Sequence, residues 1–371
     1  MRIAINCRSI LKPQRTGIGR YTHHLIEALA RADSVNEYFL YVQRGLFDFK
    51  RRTPPSPAPN FKIRRDCFSL RPEKICGPVD VYHLPSPDFL GKLRCKVVVT
   101  VHDLIDKAYP QSHTPQTIDL SDRKMRDVVG RADRIICCSQ TTRDDLHRFF
   151  QVDVSRTCVI YQGVNPTVFF PLAQDEEGYA DSVLKGLGVT QPFILFVGTI
   201  EPRKNLSNLL EAFAGLKAKK KFAGKLVVVG MKGWMMDPLT QTLRRQGLDA
   251  EVIFLGYVTD EQLRVLYHQT EVFVFPSLYE GFGFPIIEAF ACGAAVVASN
   301  TSSCAEVAGD AALTVAPDKP QDIAAAIARV IEDPSLKASL KAKGIERAAR
   351  FSWDITARRT LEIYQEAAHV R

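Results

Sequence analysis

Glu280 and Glu288 stand eight positions apart in the segment Glu280-Gly281-Phe282-Gly283-Phe284-Pro285-Ile286-Ile287-Glu288. The run before it, Val272-Phe273-Val274-Phe275, is continuously apolar and reads as a buried parallel strand. Ile286 to Cys292, closed by Gly293, reads as a helix, and Pro285 suits its first position. The two carboxylates therefore fall at the carboxyl end of a strand and in the helix that follows, where open α/β sheets bind ligands. Gly281 and Gly283 let backbone approach a ligand, and a helix start presents N–H groups and a positive dipole end. A lone glutamate there would be read as complementing its helix dipole. Two of them around Gly-x-Gly suit acceptance of hydrogen bonds from sugar or ribose hydroxyls.

A second set of chemical residues follows the strand-like run Phe193–Val197, in Gly198-Thr199-Ile200-Glu201-Pro202-Arg203-Lys204-Asn205. Two cations at a strand's carboxyl edge, beside a helix start, suit a diphosphate: arginine grips phosphate oxygens as a fork and lysine as a point charge. No Asp-x-Asp pair and no Walker-A loop occurs in the chain. With Arg203 and Lys204 carrying the charge, no metal and no cofactor is expected, and phosphoryl transfer from ATP is disfavoured. Near the start, Thr16-Gly17-Ile18-Gly19-Arg20-Tyr21 reads as a tight strand–helix turn. His102-Asp103 follows the buried run Val97–Val101, again at a strand's carboxyl end, and Ser139 suits an N-cap for the helix that begins after it.

The stretch Phe275 to Glu288 resembles the glutamate–seven residues–glutamate signature of retaining glycosyltransferase family four, and the resemblance extends over essentially the whole chain. It is strongest over 193–310 and weakest over 44–78. It implies the GT-B fold: an α/β protein of two Rossmann-like, doubly wound domains facing a central cleft. By the same resemblance Glu280 faces the donor sugar and Glu288 binds the nucleotide ribose. Arg203 and Lys204 neutralise the departing nucleoside diphosphate, and Gly198, Thr199, Gly281, Phe282 and Gly283 let the backbone approach the donor. Tyr257 and Val258 sit where members contact the nucleobase. Gly17 belongs to a glycine loop over the donor, a partial match because Thr16 replaces a second glycine. His102 belongs to a Val-His-Asp pattern that contacts the donor sugar on domain closure, while Arg20 and Ser139 are weaker acceptor-side candidates. Val101-His102-Asp103 and Glu201 to Asn205 look most like bacterial mannosyltransferases of polysaccharide and lipopolysaccharide assembly. The implied reaction moves a hexose, with GDP-mannose first among donors, to a sugar hydroxyl of a glycan or lipid-linked acceptor. Retention is implied too, and same-face attack is favoured because no residue is an obvious covalent nucleophile.

Strands alternating with helical patterns must position these residues, which argues for parallel, doubly wound sheets. Strand-like runs in the first half are Arg2–Cys7, Tyr38–Val42, Val79–His83, Val97–Val101, Arg134–Cys138 and Cys158–Tyr161. In the second half they are Phe193–Val197, Leu226–Val229, Val252–Leu255, Val272–Phe275, Ala295–Ala298 and Ala312–Val315. The expected division is a first domain over 1–172, an acidic linker over 173–189 and a nucleotide-sugar domain over 190–352. A last helix over 353–371 crosses back to the first domain, an expectation from the resemblance alone. Pro54 to Pro59 is expected to be an exposed loop.

A chain of 371 residues suits two domains, and no apolar run approaches the ~18–20 residues of a membrane span. The start reads as a strand rather than a signal peptide, and nine scattered cysteines read as reduced thiols, so a cytoplasmic protein is expected. The net charge of +8 is uneven: residues 1–172 hold 27 Lys and Arg against 17 Asp and Glu. No aromatic-basic RNA motif or helix-turn-helix pattern accompanies this excess, so nucleic acid is not an expected partner. A phosphate-bearing acceptor or peripheral contact with an anionic membrane face fits better, with Lys50-Arg51-Arg52 and Lys62 to Arg65 as clusters. Two other readings stay open, a GT-B sugar-nucleotide epimerase and a catalytically silent nucleotide- or polyanion-binding module. A phosphorylase needing a pyridoxal-lysine site is disfavoured, because the chain lacks the usual size and motifs of such enzymes.

Overall fold

The computed structural model describes residues 1–11, 17–43, 55–67, 71–112, 114–231 and 236–369. The chain divides into two units, one formed by Met1–Gly163 with Ser352–Arg371 and the other by Val164–Phe351.

The first unit is built on a seven-stranded parallel sheet: β1 (Arg2–Asn6), β2 (Glu37–Gln43), β3 (Phe61–Asp66), β4 (Val81–Leu84), β5 (Lys96–Val101), β6 (Arg134–Cys137) and β7 (Thr157–Val159). Its order is β3-β2-β1-β4-β5-β6-β7, so the winding reverses between β1 and β4. Valine-rich β5 is buried from Val97 onward, as a central strand covered on both faces must be. β3 was not expected, because Lys62, Arg64 and Arg65 break the apolar pattern that marks a strand. It sits at the sheet edge, where charge blocks further strand pairing. Lys62 pairs with Glu37 on β2, and the Arg64 guanidinium lies 5.5 Å from the centre of the Phe39 ring.

The second unit has a six-stranded parallel sheet: β8 (Phe193–Val197), β9 (Lys225–Val229), β10 (Val252–Gly256), β11 (Val272–Phe275), β12 (Val296–Ser299) and β13 (Leu313–Val315). Its order, β10-β9-β8-β11-β12-β13, reverses between β8 and β11. Both of these strands are buried along their whole length. The helices Leu206–Ala218 and Pro320–Glu332 pack on one face through Leu209, Leu210, Phe213, Ile323 and Ile327.

Two expected boundaries are corrected. The segment expected as a linker over 173–189, together with the end of the expected first domain, is folded into the second unit. Arg264 pins it there: its guanidinium stacks 3.6 Å from the Phe170 ring centre, donates to the Phe170 carbonyl at 3.0 Å and pairs with Glu176 at 2.7 Å. Beyond this anchor Glu177–Gly186 is a helix that buries Ala180 and Leu184. The last helix, Trp353–His369, belongs to the first unit. It lies against the helix Gly17–Ala32, with Asp354 on Arg31 at 2.8 Å and the Trp353 ring tilted against those of His24 and Tyr21. Gly163 is obligatory beside it, since a Cβ there would stand 2.3 Å from the Trp353 backbone nitrogen.

Candidate functional site

The reversal between β8 and β11 splays the two following loops apart at the carboxyl edge of the second sheet, the place where such folds bind ligands. The β8 loop runs Gly198 to Asn205 and the β11 loop runs Pro276 to Gly283. Gly198 touches its neighbour closely: a Cβ on Gly230 would lie 2.0 Å from the Gly198 carbonyl oxygen, so only bare backbone fits at position 230. The chain then makes a short turn over Pro202–Lys204 and enters the next helix through Asn205, whose φ of 61° is left-handed. Asn205 is held in that conformation by donating its side-chain amide to the carbonyls of Pro276, at 3.0 Å, and Pro317, at 2.5 Å. The turn is thereby tied to the β11 loop, and the Leu278 N–H adds a bond to the Arg203 carbonyl at 2.7 Å.

This arrangement brings three of the expected site residues together. Glu280 takes Arg203 on one carboxylate oxygen at 2.7 Å and Lys204 on the other at 2.5 Å. Arg203 also reaches Glu201 at 2.7 Å and the Tyr279 carbonyl at 3.3 Å. Lys204 is buried, its stem against Gly198 and its ammonium 5.1 Å from the centre of the Phe275 ring. Burial alone would raise the Glu280 pKa, but the adjoining Lys204 and Arg203 charges outweigh it and hold the carboxyl below its ordinary value. The cations therefore stand opposite a carboxylate, not in an open cradle. An incoming diphosphate would compete with Glu280 for them.

The sequence reasoning missed the support of this cluster. Thr301, Ser302 and Ser303, just past β12, hold the β11 loop by three hydroxyls. Thr301 donates to the Leu278 carbonyl at 3.1 Å, Ser302 accepts from the Glu280 N–H at 3.0 Å, and Ser303 donates to the carbonyls of Glu280 and Phe282 at 2.8 and 2.9 Å. Ser302 holds a left-handed φ of 52°, strain that its hydrogen bond helps to maintain. A hydroxyl-rich run at the carboxyl end of the strand beside β11 is the signal that marks it.

The other expected residues are placed separately. Glu288 is buried in the helix Phe284–Ala291, which starts from Gly283 at a φ of 102°, and its carboxylate accepts from the Tyr267 hydroxyl at 3.3 Å. Gly281 and Phe282 are buried, Thr199 is half-buried, Tyr257 is largely exposed and Val258 is buried. In the first unit, Gly17 is exposed at the start of its helix and Arg20 is half-buried one turn on, while Thr16 lies outside the described residues. Ser139 is fully buried as the N-cap of Gln140–Phe150, accepting from the Thr142 N–H and donating to the Thr142 hydroxyl, each at 3.0 Å. With its hydroxyl so engaged, the acceptor contact expected of Ser139 is withdrawn.

His102 follows β5 and is half-buried. Its Nε2 donates to the Pro85 carbonyl at 2.7 Å and its Nδ1 meets the Gln162 side-chain amide nitrogen at 3.1 Å. The Tyr21 ring stands edge-on to it, centroids 4.8 Å apart. Tyr21 in turn ends a buried chain of hydrogen bonds running through Thr100 and His83 to Tyr364 of the last helix.

Comparison with known proteins bears on the family and the fold. Residues 15–168 match the family model described as Glycosyltransferase Family 4, and residues 184–347 match Glycosyl transferases group 1. O-antigen chain mannosyltransferase B of Escherichia coli is 30% identical over 96% of this chain and 97% of its own. The serotype-specific mannosyltransferase WbdA of the same species is 30% identical over 77% of this chain, which spans 35% of it. Among solved structures, sucrose-phosphate synthase from Thermosynechococcus elongatus superposes with a TM-score of 0.78 at 22% identity, covering 98% of each chain. HepE of Anabaena gives 0.73 at 18% identity over 99% of this chain and 100% of that one. At these identities the structures speak for the fold alone. The sequence relatives extend the likeness to family, and the chain belongs to the GT-B glycosyltransferases, in the family of the Escherichia coli O-antigen mannosyltransferases.

Proposed function

We propose that this glycosyltransferase moves mannose from GDP-mannose, with retention, to a sugar hydroxyl of a glycan or lipid-linked acceptor. The observation that carries the reading is the cluster of Arg203, Lys204 and Glu280 at the switch point of the second sheet. Mannose as the sugar is supported by the relative O-antigen chain mannosyltransferase B, matched over 97% of its length. In this reading Arg203 and Lys204 exchange Glu280 for the diphosphate and stabilise it as it departs, the main electrostatic contribution to rate. Glu280, released from its cations, faces the donor sugar, and Glu288 accepts from the ribose. Gly198, Thr199, Tyr257, Val258 and Gly281 to Gly283 line the donor. Two fixed cations supply the charge that a divalent metal supplies elsewhere, so the reaction proceeds without one. His102 and Gly17 keep, in this reading, the donor-contact roles that the family resemblance implies.

The HepE structure contains UDP-glucose, so UDP-glucose is the donor to set against GDP-mannose. Thermal unfolding with a panel of nucleoside diphosphate sugars separates them, because a ligand that binds only the native state raises its stability. The reading holds when GDP-mannose gives the largest shift and is consumed only with an acceptor present. Consumption without acceptor, yielding an isomeric sugar nucleotide, would mark an epimerase instead.

Among the described residues, no helix is long and apolar enough to cross a membrane. The basic excess of residues 1–172 supports a cytoplasmic enzyme held peripherally at an anionic membrane face, where a lipid-linked acceptor lies. Of the four arginines expected to make this contact, Arg64 and Arg65 lie on edge strand β3, and Arg51 and Arg52 fall outside the described residues.

A further inference from the structure

The Pro85 carbonyl can only accept, so the proton on the neutral His102 ring must sit on Nε2. Nδ1 then carries a lone pair, and the Gln162 amide nitrogen facing it at 3.1 Å donates. Gln162 itself is 1% exposed, and its Oε1 has no hydrogen-bond partner among the described residues. A buried amide oxygen left without a partner is unfavourable. Rotating the amide by half a turn would turn that oxygen onto the Nδ1 lone pair, which is repulsive. The same rotation becomes favourable only when Nδ1 gains a proton. Neutral His102 therefore requires the amide one way round, and the imidazolium requires it the other way.

We propose that Gln162 is the positioning residue of His102, holding the ring neutral as the Nε2–H tautomer and keeping its Nδ1 lone pair available as an acceptor. A donor-sugar hydroxyl that reaches His102 then donates to Nδ1 and takes the place of the Gln162 N–H. This rests on the reading above that His102 acts in sugar transfer. Gln162 is well placed for the role, since it directly precedes Gly163, whose backbone packs on Trp353 without room for a side chain. The other groups facing His102 leave the assignment intact. Asp103 in its own loop and the Pro85 carbonyl favour the charged ring, but burial opposes both and the pKa stays below the ordinary histidine value. His83 on β4 is neutral, its pKa lowered to about 3 by burial and by His102. Tyr21 presents a ring edge, and the Cys138 thiol donates to the His102 backbone carbonyl.

The test is ring nitrogen NMR on the ¹⁵N-labelled full chain, with His102 assigned by its loss in His102→Asn, beside GDP release from GDP-mannose across pH. The expected spectrum shows an Nε2–H tautomer that stays neutral where an ordinary histidine titrates, near about pH 6.5. Gln162→Glu places a carboxylate against Nδ1, so the ring takes a second proton, its titration moves upward and turnover at pH 7 falls about tenfold. Gln162→Met keeps the volume without charge, moves the Nδ1 resonance and lowers turnover without a comparable loss of thermal stability. It covers the case in which the buried charge prevents folding. An Nδ1–H tautomer in the parent protein, or a His102 spectrum unchanged in Gln162→Met, overturns the proposal. So does unchanged turnover in both Gln162 variants while His102→Asn is impaired. If the spectra change as expected and His102→Asn retains full turnover, positioning stands and the role of His102 in transfer falls.

Discussion

Replacing Glu280 by glutamine removes one negative charge and leaves two cations to find other partners. Arg203 keeps Glu201 at 2.7 Å, so the loss falls mainly on Lys204, whose ammonium keeps the Phe275 ring at 5.1 Å. Lys204 is 8% exposed, too little for water to compensate. Removing one partner of such a buried pair costs about 3–5 kcal/mol, and the ring contact places this case near the lower end, about 3 kcal/mol. For a unit of this size that corresponds to a fall in Tm of roughly 6–12 °C. Glu280 has a depressed folded-state pKa, so its contribution is fully present above the unfolded carboxyl value, about 4.3. It is lost as pH falls through the folded value, and Glu280→Gln should lack that part of the acid destabilisation. The same cations lose the carboxylate with which a diphosphate must compete. Differential scanning fluorimetry should therefore show a lower Tm for Glu280→Gln and a larger stabilisation by GDP than in the parent, while sugar transfer falls. An unchanged Tm, or a smaller GDP-induced shift, would refute the reasoning that Glu280 restrains Lys204 and Arg203.

Three further outcomes follow from the same geometry. Glu288→Gln should weaken GDP binding by about 1–3 kcal/mol in calorimetry, because a buried hydroxyl partner is lost; equal affinity would remove its ribose role. Lys204→Ala should lower kcat even at a temperature where the variant is fully folded, and turnover in the parent should survive excess EDTA; a metal requirement restored by titration would mean that phosphate neutralisation is misassigned. Reversing Arg64 and Arg65 to glutamate should reduce flotation with anionic vesicles at low salt and leave GDP binding unchanged, since each basic residue near such a surface contributes about 1 kcal/mol; flotation insensitive to the change, or absent at low salt, would sink the membrane contact.

The inner strands of the second sheet were legible because strands buried on both faces are written as apolar runs. β8 and β11 begin and end where the pattern does. β3 was not legible, since an edge strand needs apolar residues on neither face throughout and carries Lys62, Arg64 and Arg65 instead. The helix Glu177–Gly186 was hidden by the acidic residues before it, and its attachment depends on Arg264, far off in sequence. At the site, residue types revealed Glu280, Arg203 and Lys204 singly. That all three form one cluster, braced by Asn205 and Ser303, is a property of strand order, which periodicity does not encode.

The first unit is interrupted by the second and completed by Trp353–His369. During synthesis its sheet must wait, with Tyr364 missing from His83 and the flank of the Gly17–Ala32 helix uncovered, until the whole second unit has been translated. The second unit is contiguous and has no such delay, so it is the part that can fold first on the ribosome. The second unit can therefore be complete before the unit that is encoded first. A chain cut after Phe351 should retain a folded second unit beside an unfinished first one, distinguishable by limited proteolysis.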